Sequence, residues 1–335
     1  MPPTIEQMKS TEPPGRIEYI GEAARELLSL QLRGKVLAIV SHAAYLLGEQ
    51  DELFWLAAEN VPLHRRCIRV SGLFPRLTVD APFNVNDHHL VIGSGTTLDF
   101  SRARIWETPR LTPDCAMPVA DLPGRLRAVI SILDELPAPV GFGSLIPDIL
   151  YIAQRQGAPH LYQIPASISA RAWPAVREIA RACLSRDLRS VMEQTNSLIG
   201  LGEGLTPSGD DFVGGLLFCM NILRSVYPIF LDMEFPDLPD FIENITASTN
   251  IISYTFMRDH AEGCAIDTLH QLVNAILTGQ PMDNFRQIAS ELLHIGHSTG
   301  WDLFAGLLTG MLLTYRIGKP VTIQRFVPLY AGLEK

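Results

Sequence analysis

The chain has 335 residues, 47% of them apolar and 19% charged, with a formal net charge of −9. That composition is globular and core-rich, long enough for one large domain or two ordinary ones. The acidic balance and the lack of any basic cluster denser than Arg65, Arg66 and Arg69 argue against nucleic-acid partners and anionic membranes.

Taken from the N-terminus, Met1–Gly15 lacks a basic-then-apolar export pattern, so a cytoplasmic protein is expected. Ile17–Leu32 and Gln50–Ala58 read as helices. Short strands are expected at Val36–Val40, Cys67–Val70, Leu77–Val79, Leu90–Ile92, Thr97–Phe100 and Arg104–Glu107, separated by turn residues. Proline punctuates Pro109–Pro123 and Pro137–Pro147, and the domain boundary is expected there. The fold class expected is α+β. An antiparallel β-rich domain occupies 1–140, and a helical domain with buried glycine-containing helices occupies 141–335.

Helices in the second part are expected after Ser144, over Ile168–Ser185 and Asp187–Ser197, then over Asp210–Val226, Leu238–His260, Ala265–Thr278, Asp283–His294 and Thr299–Tyr315. The longest apolar runs, Val213–Leu223 and Leu303–Leu313, are too short to span a bilayer and suit buried helices. The five cysteines (67, 115, 183, 219 and 264) are scattered and form no CxxC, which fits a reducing compartment and no zinc site. His88-His89 and His294-x-x-His297 lack a third ligand, so no metal site is assigned to them.

Residues Gly200 to Gly215 concentrate the chemistry. Six glycines, Thr206, Ser208 and the adjacent Asp210 and Asp211 stand directly before an apolar run. A glycine-rich loop that opens a helix is a ready anion site, because unpaired N–H groups and the helix dipole face the ligand. No Lys precedes the hydroxyl, so this is not a Walker A loop. The segment before it reads as helix, so it is not a dinucleotide fingerprint. The plainer reading is a helix cap, with Thr206 or Ser208 as cap and Asp211 completing a capping box.

A second loop repeats the pattern. Gly296-His297-Ser298-Thr299-Gly300-Trp301-Asp302 aligns Thr299 with Ser208, Gly300 with Gly209, Asp302 with Asp211 and Gly306 with Gly215. Two buried helices packed together are expected, with their N-terminal loops meeting at one anion site. Two helices sharing only a capping style is the alternative. A third segment, Thr249 to Gly263, places Thr249, Ser253 and either Phe256 or Met257 on one helical face. Ser253, Met257 and His260 follow the same spacing. Such a stripe needs polar partners, and Arg258 is the nearest cation for an anion or, alternatively, a pair for Glu262.

Together these three segments resemble the AllH-like family, mainly over residues 196–315. The resemblance implies one of three subunits of an oxamate carbamoyltransferase, with two companion subunits, in purine (allantoin) catabolism. The reaction implied moves a carbamoyl group between oxalurate and phosphate, giving oxamate and carbamoyl phosphate. For that chemistry the candidate anion-binding residues are Gly202, Gly204, Thr206, Ser208, Gly209, Ser253, Arg258, Ser298, Thr299 and Gly300. His297 is the candidate donor to the carbamoyl oxygen or general acid. Asp210 and Asp211 are candidates for orienting cations or N–H groups, or for holding Mg2+ that bridges to phosphate. Asp211 and Asp302 also fit simple capping. No residue reads as an activated nucleophile, and no cofactor other than Mg2+ is suggested. Two further readings stay open: a non-catalytic anion-binding or assembly subunit, and an unrelated Mg2+-dependent phosphate enzyme.

Overall fold

The structure, a computed structural model, describes residues 16–154, 168–231, 233 and 238–315. Met1–Gly15 lies outside the described residues. The fold is α+β, with a mostly antiparallel sheet in the N-terminal part followed by helices. Two compact units emerge. The first holds the described residues up to Arg110 together with Cys264–Asp267. The second holds those of Leu111–Gly263 and those from Thr268 onward.

The first unit is built on strands β1 (Arg16–Gly21), β2 (Arg33–Val40), β3 (Ala43–Gly48), β4 (Leu53–Ala58), β5 (Cys67–Ser71), β6 (Pro82–Asn86), β7 (His89–Ile92), β8 (Thr96–Asp99) and β9 (Arg104–Trp106). Helix α1 (Glu22–Ser29) lies between β1 and β2 in the chain. They form one sheet in the order β8-β7-β6-β2-β3-β4-β5-β1-β9, antiparallel except for β4–β5 and β1–β9. Alternate residues such as Phe54 and Leu56, Ile68 and Val70, Phe83 and Val85, and Leu90 and Ile92 enter one core with Ala24 and Leu28 of α1.

One expected helix contains a strand instead and another is strand in its first part only, each for a physical reason. Gln50–Ala58 contains β4, whose first five residues are all buried. A strand covered on both faces loses its alternation and imitates a buried helix. Ile17–Leu32 divides into β1 and α1. The register shifts between Ile17 and Tyr19, so Ile17 and Ile20 both reach the core at a helix-like spacing of three. Leu77–Val79 forms no strand, whereas β3 and β6 went unread.

The second unit contains α2 (Leu122–Ile130), a 3-10 turn (Gly141–Leu145), α3 (Ile146–Gln154), α4 (Ile168–Ser185), α5 (Leu188–Thr195), α6 (Ser208–Val226), α7 (Leu238–Asn244), α8 (Ile251–Ala261), α9 (Asp267–Leu277) from its second residue onward, α10 (Met282–Leu293) and α11 (Thr299–Met311). The long helix expected over Leu238–His260 breaks because Asn250 caps α8, its side-chain oxygen accepting from the N–H groups of Ile252 and Ser253 at 3.0 and 3.1 Å. Sixteen of the nineteen residues of α6 and twelve of the thirteen of α11 are buried. They are therefore the central helices of the unit, apolar nearly all round. Among the described residues no helix is long and apolar enough to cross a membrane.

Candidate functional site

The site is set by how closely α6 and α11 approach. A Cβ on Gly215 would lie 2.2 Å from the carbonyl oxygen of Leu303, and one on Gly306 would lie 2.0 Å from that of Phe212. These contacts are reciprocal. Adding 91 to Gly215 gives Gly306, and adding 91 to Phe212 gives Leu303. The two helices thus cross about a local pseudo-two-fold axis, backbone against backbone, which only glycine permits. They run in the same direction, because Ser208 meets Ser298 at one end and Cys219 meets Gly310 further along.

The two loops therefore come together. The hydroxyls of Thr206 and Thr299 are 3.3 Å apart, as are those of Ser208 and Ser298. The expected capping box is not formed. Pro207 occupies the cap position of α6 and Ser298 that of α11, neither with a side-chain cap bond. The hydroxyls cross to the other helix instead. Asp211 is approached by Thr299, the first residue of α11, and by Thr206. Asp302 is approached by Ser208, the first residue of α6, and by Ser298.

Both carboxyls are buried, Asp211 at 6% and Asp302 at 0% exposure, and each has an Oδ2 atom without a hydrogen-bond partner among the described residues. Asp302 Oδ1 accepts the N–H of Phe142 at 2.6 Å. Burial pushes Asp302 up to about 6 against the pull of that N–H and the nearby hydroxyls. Burial, and then the charge of Asp302, raise Asp211 well above the ordinary carboxylate range. Two helix N-termini thus lie side by side, with the buried acids Asp211 and Asp302 in their first turns.

Asp210 has a different position. Its Oδ1 accepts the N–H of Gly200 at 2.6 Å, and its Oδ2 accepts the hydroxyls of Ser253 at 2.6 Å and of Thr249. The polar stripe read on α8 thus finds its partner in this carboxylate. Asn250 adds a bond from Nδ2 to the Leu205 carbonyl, tying the loop to the start of α8. Gly200 and Gly202 have φ of +74° and +138°, and a Cβ on Gly202 would lie 2.5 Å from the Ser208 nitrogen. A side chain is excluded at Gly202 on both counts.

The other candidates are distributed as follows. The N–H of Gly209 donates to Leu201 at 2.8 Å and that of Gly300 to Ile295 at 3.1 Å, so both serve the loops themselves. Gly204 is exposed with open space around it. His297 is exposed and close enough to Asp302 for its charge to be felt there. Arg258 lies 5.7 Å from the ring centroid of Tyr254. It follows Ser253 by five residues, about 140° around the helix, and so leaves the face that meets Asp210. His260 and His270 are buried and pushed down to about 4, hence neutral near pH 7. Among the described residues no three His, Cys, Asp or Glu side chains form a metal-binding group.

Sequence reading missed the turn that closes the site from the other side. A Cβ on Gly141 would lie 2.3 Å from Asp302 Oδ1, and one on Gly143 would lie 2.6 Å from the Trp301 ring. Ser169 donates to the Gly141 carbonyl at 2.7 Å and holds the turn in place. Gly-Phe-Gly-Ser was the available signal, hidden in a proline-rich stretch.

Residues 198–311 match the model of the AllH family, described as oxamate carbamoyltransferase subunit AllH. The AllH match covers about a third of the chain. It begins just before the glycine-rich loop and ends with α11, so it contains both loops and both central helices. The Gly141–Leu145 turn lies outside it. No solved structure matches the chain.

Proposed function

We propose that this chain is a subunit of a carbamoyltransferase that holds an anionic substrate at the joined N-termini of α6 and α11. The reaction is carbamoyl transfer between oxalurate and phosphate, giving oxamate and carbamoyl phosphate. One observation carries the reading. Two alike loops, both inside the AllH-matched segment, meet through Thr206–Thr299 and Ser208–Ser298. Every substrate and product is an anion, and the tetrahedral intermediate is more strongly charged. Preorganised hydroxyls and helix ends stabilise such charge without reorganising.

In this reading Ser208, Ser298, Thr206 and Thr299 donate to phosphate or carboxylate oxygens, with the backbone of Gly202 and Gly204 beside them. His297 donates to the carbamoyl oxygen. Asp210, with Ser253, fixes the loop. The chain works with two companion subunits in cytoplasmic allantoin degradation, and Mg2+ is an addition to be tested.

The experiment is turnover of the complex reconstituted with its companion subunits. Ser208→Ala and His297→Ala are each expected to lower kcat by about 10- to 100-fold while the fold is kept. Near-wild-type turnover in both variants would leave the chemistry to a companion subunit.

A further inference from the structure

We propose that Asp302 carries the proton of the transfer reaction, passing it to and from substrate through the hydroxyls of Ser208 and Ser298. The inference rests on the carbamoyl-transfer reading above. Four observations support it. Asp302 is fully buried, so it cannot meet a substrate directly. Its Oδ2 has no hydrogen-bond partner among the described residues, although its Oδ1 is held by the Phe142 N–H at 2.6 Å. The hydroxyls of Ser208 and Ser298 are linked at 3.3 Å, and Ser298 lies beside Asp302, since a Cβ on Gly141 would be 2.8 Å from Ser298 Cβ and 2.3 Å from Asp302 Oδ1. Ser298 is half-buried, so the chain of groups runs from the buried acid towards solvent.

The reaction needs such a carrier. In the cleavage direction the carbamoyl C–N bond of oxalurate breaks as a C–O bond to hydrogenphosphate forms. The leaving amide nitrogen must gain a proton and hydrogenphosphate must lose one. The nitrogen takes the hydroxyl proton of Ser208, and Ser208 takes the carboxyl proton of Asp302. The proton lost by hydrogenphosphate returns to Asp302 through Ser298. Atoms and charge balance, with no further reactant. In the synthesis direction every transfer reverses: Asp302 gives its proton to the departing phosphate through Ser298 and regains one from the attacking amide nitrogen through Ser208.

Asp302 is suited to both directions because burial holds it at about 6. Asp211, the pseudo-symmetric acid, is raised well above the ordinary carboxylate range by burial and by the charge of Asp302, with the Thr206 and Thr299 hydroxyls beside it. The other charges that reach the pair are Asp210 on α6 and His297 ahead of α11. The Gly141–Leu145 turn brings only backbone and Ser144, and α4 brings Ser169. Asp302 acts through the serines and is a positioning residue, not one that touches substrate.

The test is the pH profile of kcat for the reconstituted complex between pH 5 and 8, paired with infrared titration of the carboxyl stretch of the isolated full chain. The wild type is expected to show one carboxyl band that titrates near pH 6 and matches an inflection in kcat. Asp302→Asn should abolish both and lower kcat by about 100-fold, and Asp302→Glu should restore part of each. Should Asp302→Asn fail to fold, Ser208→Ala/Ser298→Ala decides. It is expected to move the band above pH 6, because two hydroxyls that lower it are gone, and to lose the inflection in kcat. An unchanged inflection in Asp302→Asn, or in the double serine variant, overturns the inference while carbamoyl transfer stands. Absence of transfer by the wild-type complex overturns the underlying reading and this inference with it.

Discussion

Gly306→Ala is expected to destabilise the second unit by about 3 kcal/mol or more, lowering Tm by roughly 6–12 °C. The added Cβ would lie 2.0 Å from the Phe212 carbonyl oxygen and 2.9 Å from the Leu216 nitrogen. Both are backbone atoms of a buried helix, so no side chain can swing aside, and α6 and α11 must separate. Gly215→Ala makes the pseudo-symmetric clash with Leu303 and should cost a similar amount. The double variant should cost less than the sum, because the first substitution already opens the crossing. Gly204→Ala is the control. It meets nothing within 4 Å and bears only the strain of φ +95°, which is about 1 kcal/mol. Thermal unfolding of the four variants checks this. Equal Tm for Gly306→Ala and Gly204→Ala would contradict the close crossing.

Asp210→Ala should be about as damaging, at roughly 3–5 kcal/mol. It removes the acceptor for the Gly200 N–H and for the Thr249 and Ser253 hydroxyls together. Three donors are then stranded at the junction of the loop, α6 and α8, of which Ser253 is 1% exposed. Asp210→Asn keeps one acceptor oxygen but turns an amide N–H₂ towards donors, so it should recover only part of the loss. Thr249→Ala/Ser253→Ala in the Asp210→Ala background should cost little more, because the same bonds are already gone. Denaturant unfolding of this set measures the coupling. Additive effects would show that the carboxylate and the two hydroxyls act independently.

Much of the site was legible in the sequence because its signals are local. Glycine spacing and the hydroxyl-Gly-x-Asp pattern of each loop announced two helices of the same kind. Their burial followed from runs without charge, and the polar stripe at Thr249 and Ser253 called for a partner. What the sequence did not show is where the hydroxyls point. A Ser followed three residues later by Asp satisfies a capping box within one helix. It serves equally well for the crossed arrangement found here, in which the hydroxyls of each loop pair with those of the other. Only a tertiary contact separates the two. The Phe142 N–H that holds Asp302 was equally invisible, 160 residues away in the chain. In the sheet, β4 and β1 misled for related reasons. Burial on both faces erased the alternation of β4, and a bulge gave β1 a helical spacing.

The most direct measurement is calorimetric titration of the full chain with phosphate, carbamoyl phosphate, oxamate and oxalurate, each with and without Mg2+. It would be run on the wild type, Ser208→Ala and Ser298→Ala. Carbamoyl phosphate or oxamate is expected to bind, and either substitution to weaken it by at least about tenfold, or ~1.4 kcal/mol. Binding of equal strength in all three proteins would contradict an anion site at the joined ends of α6 and α11.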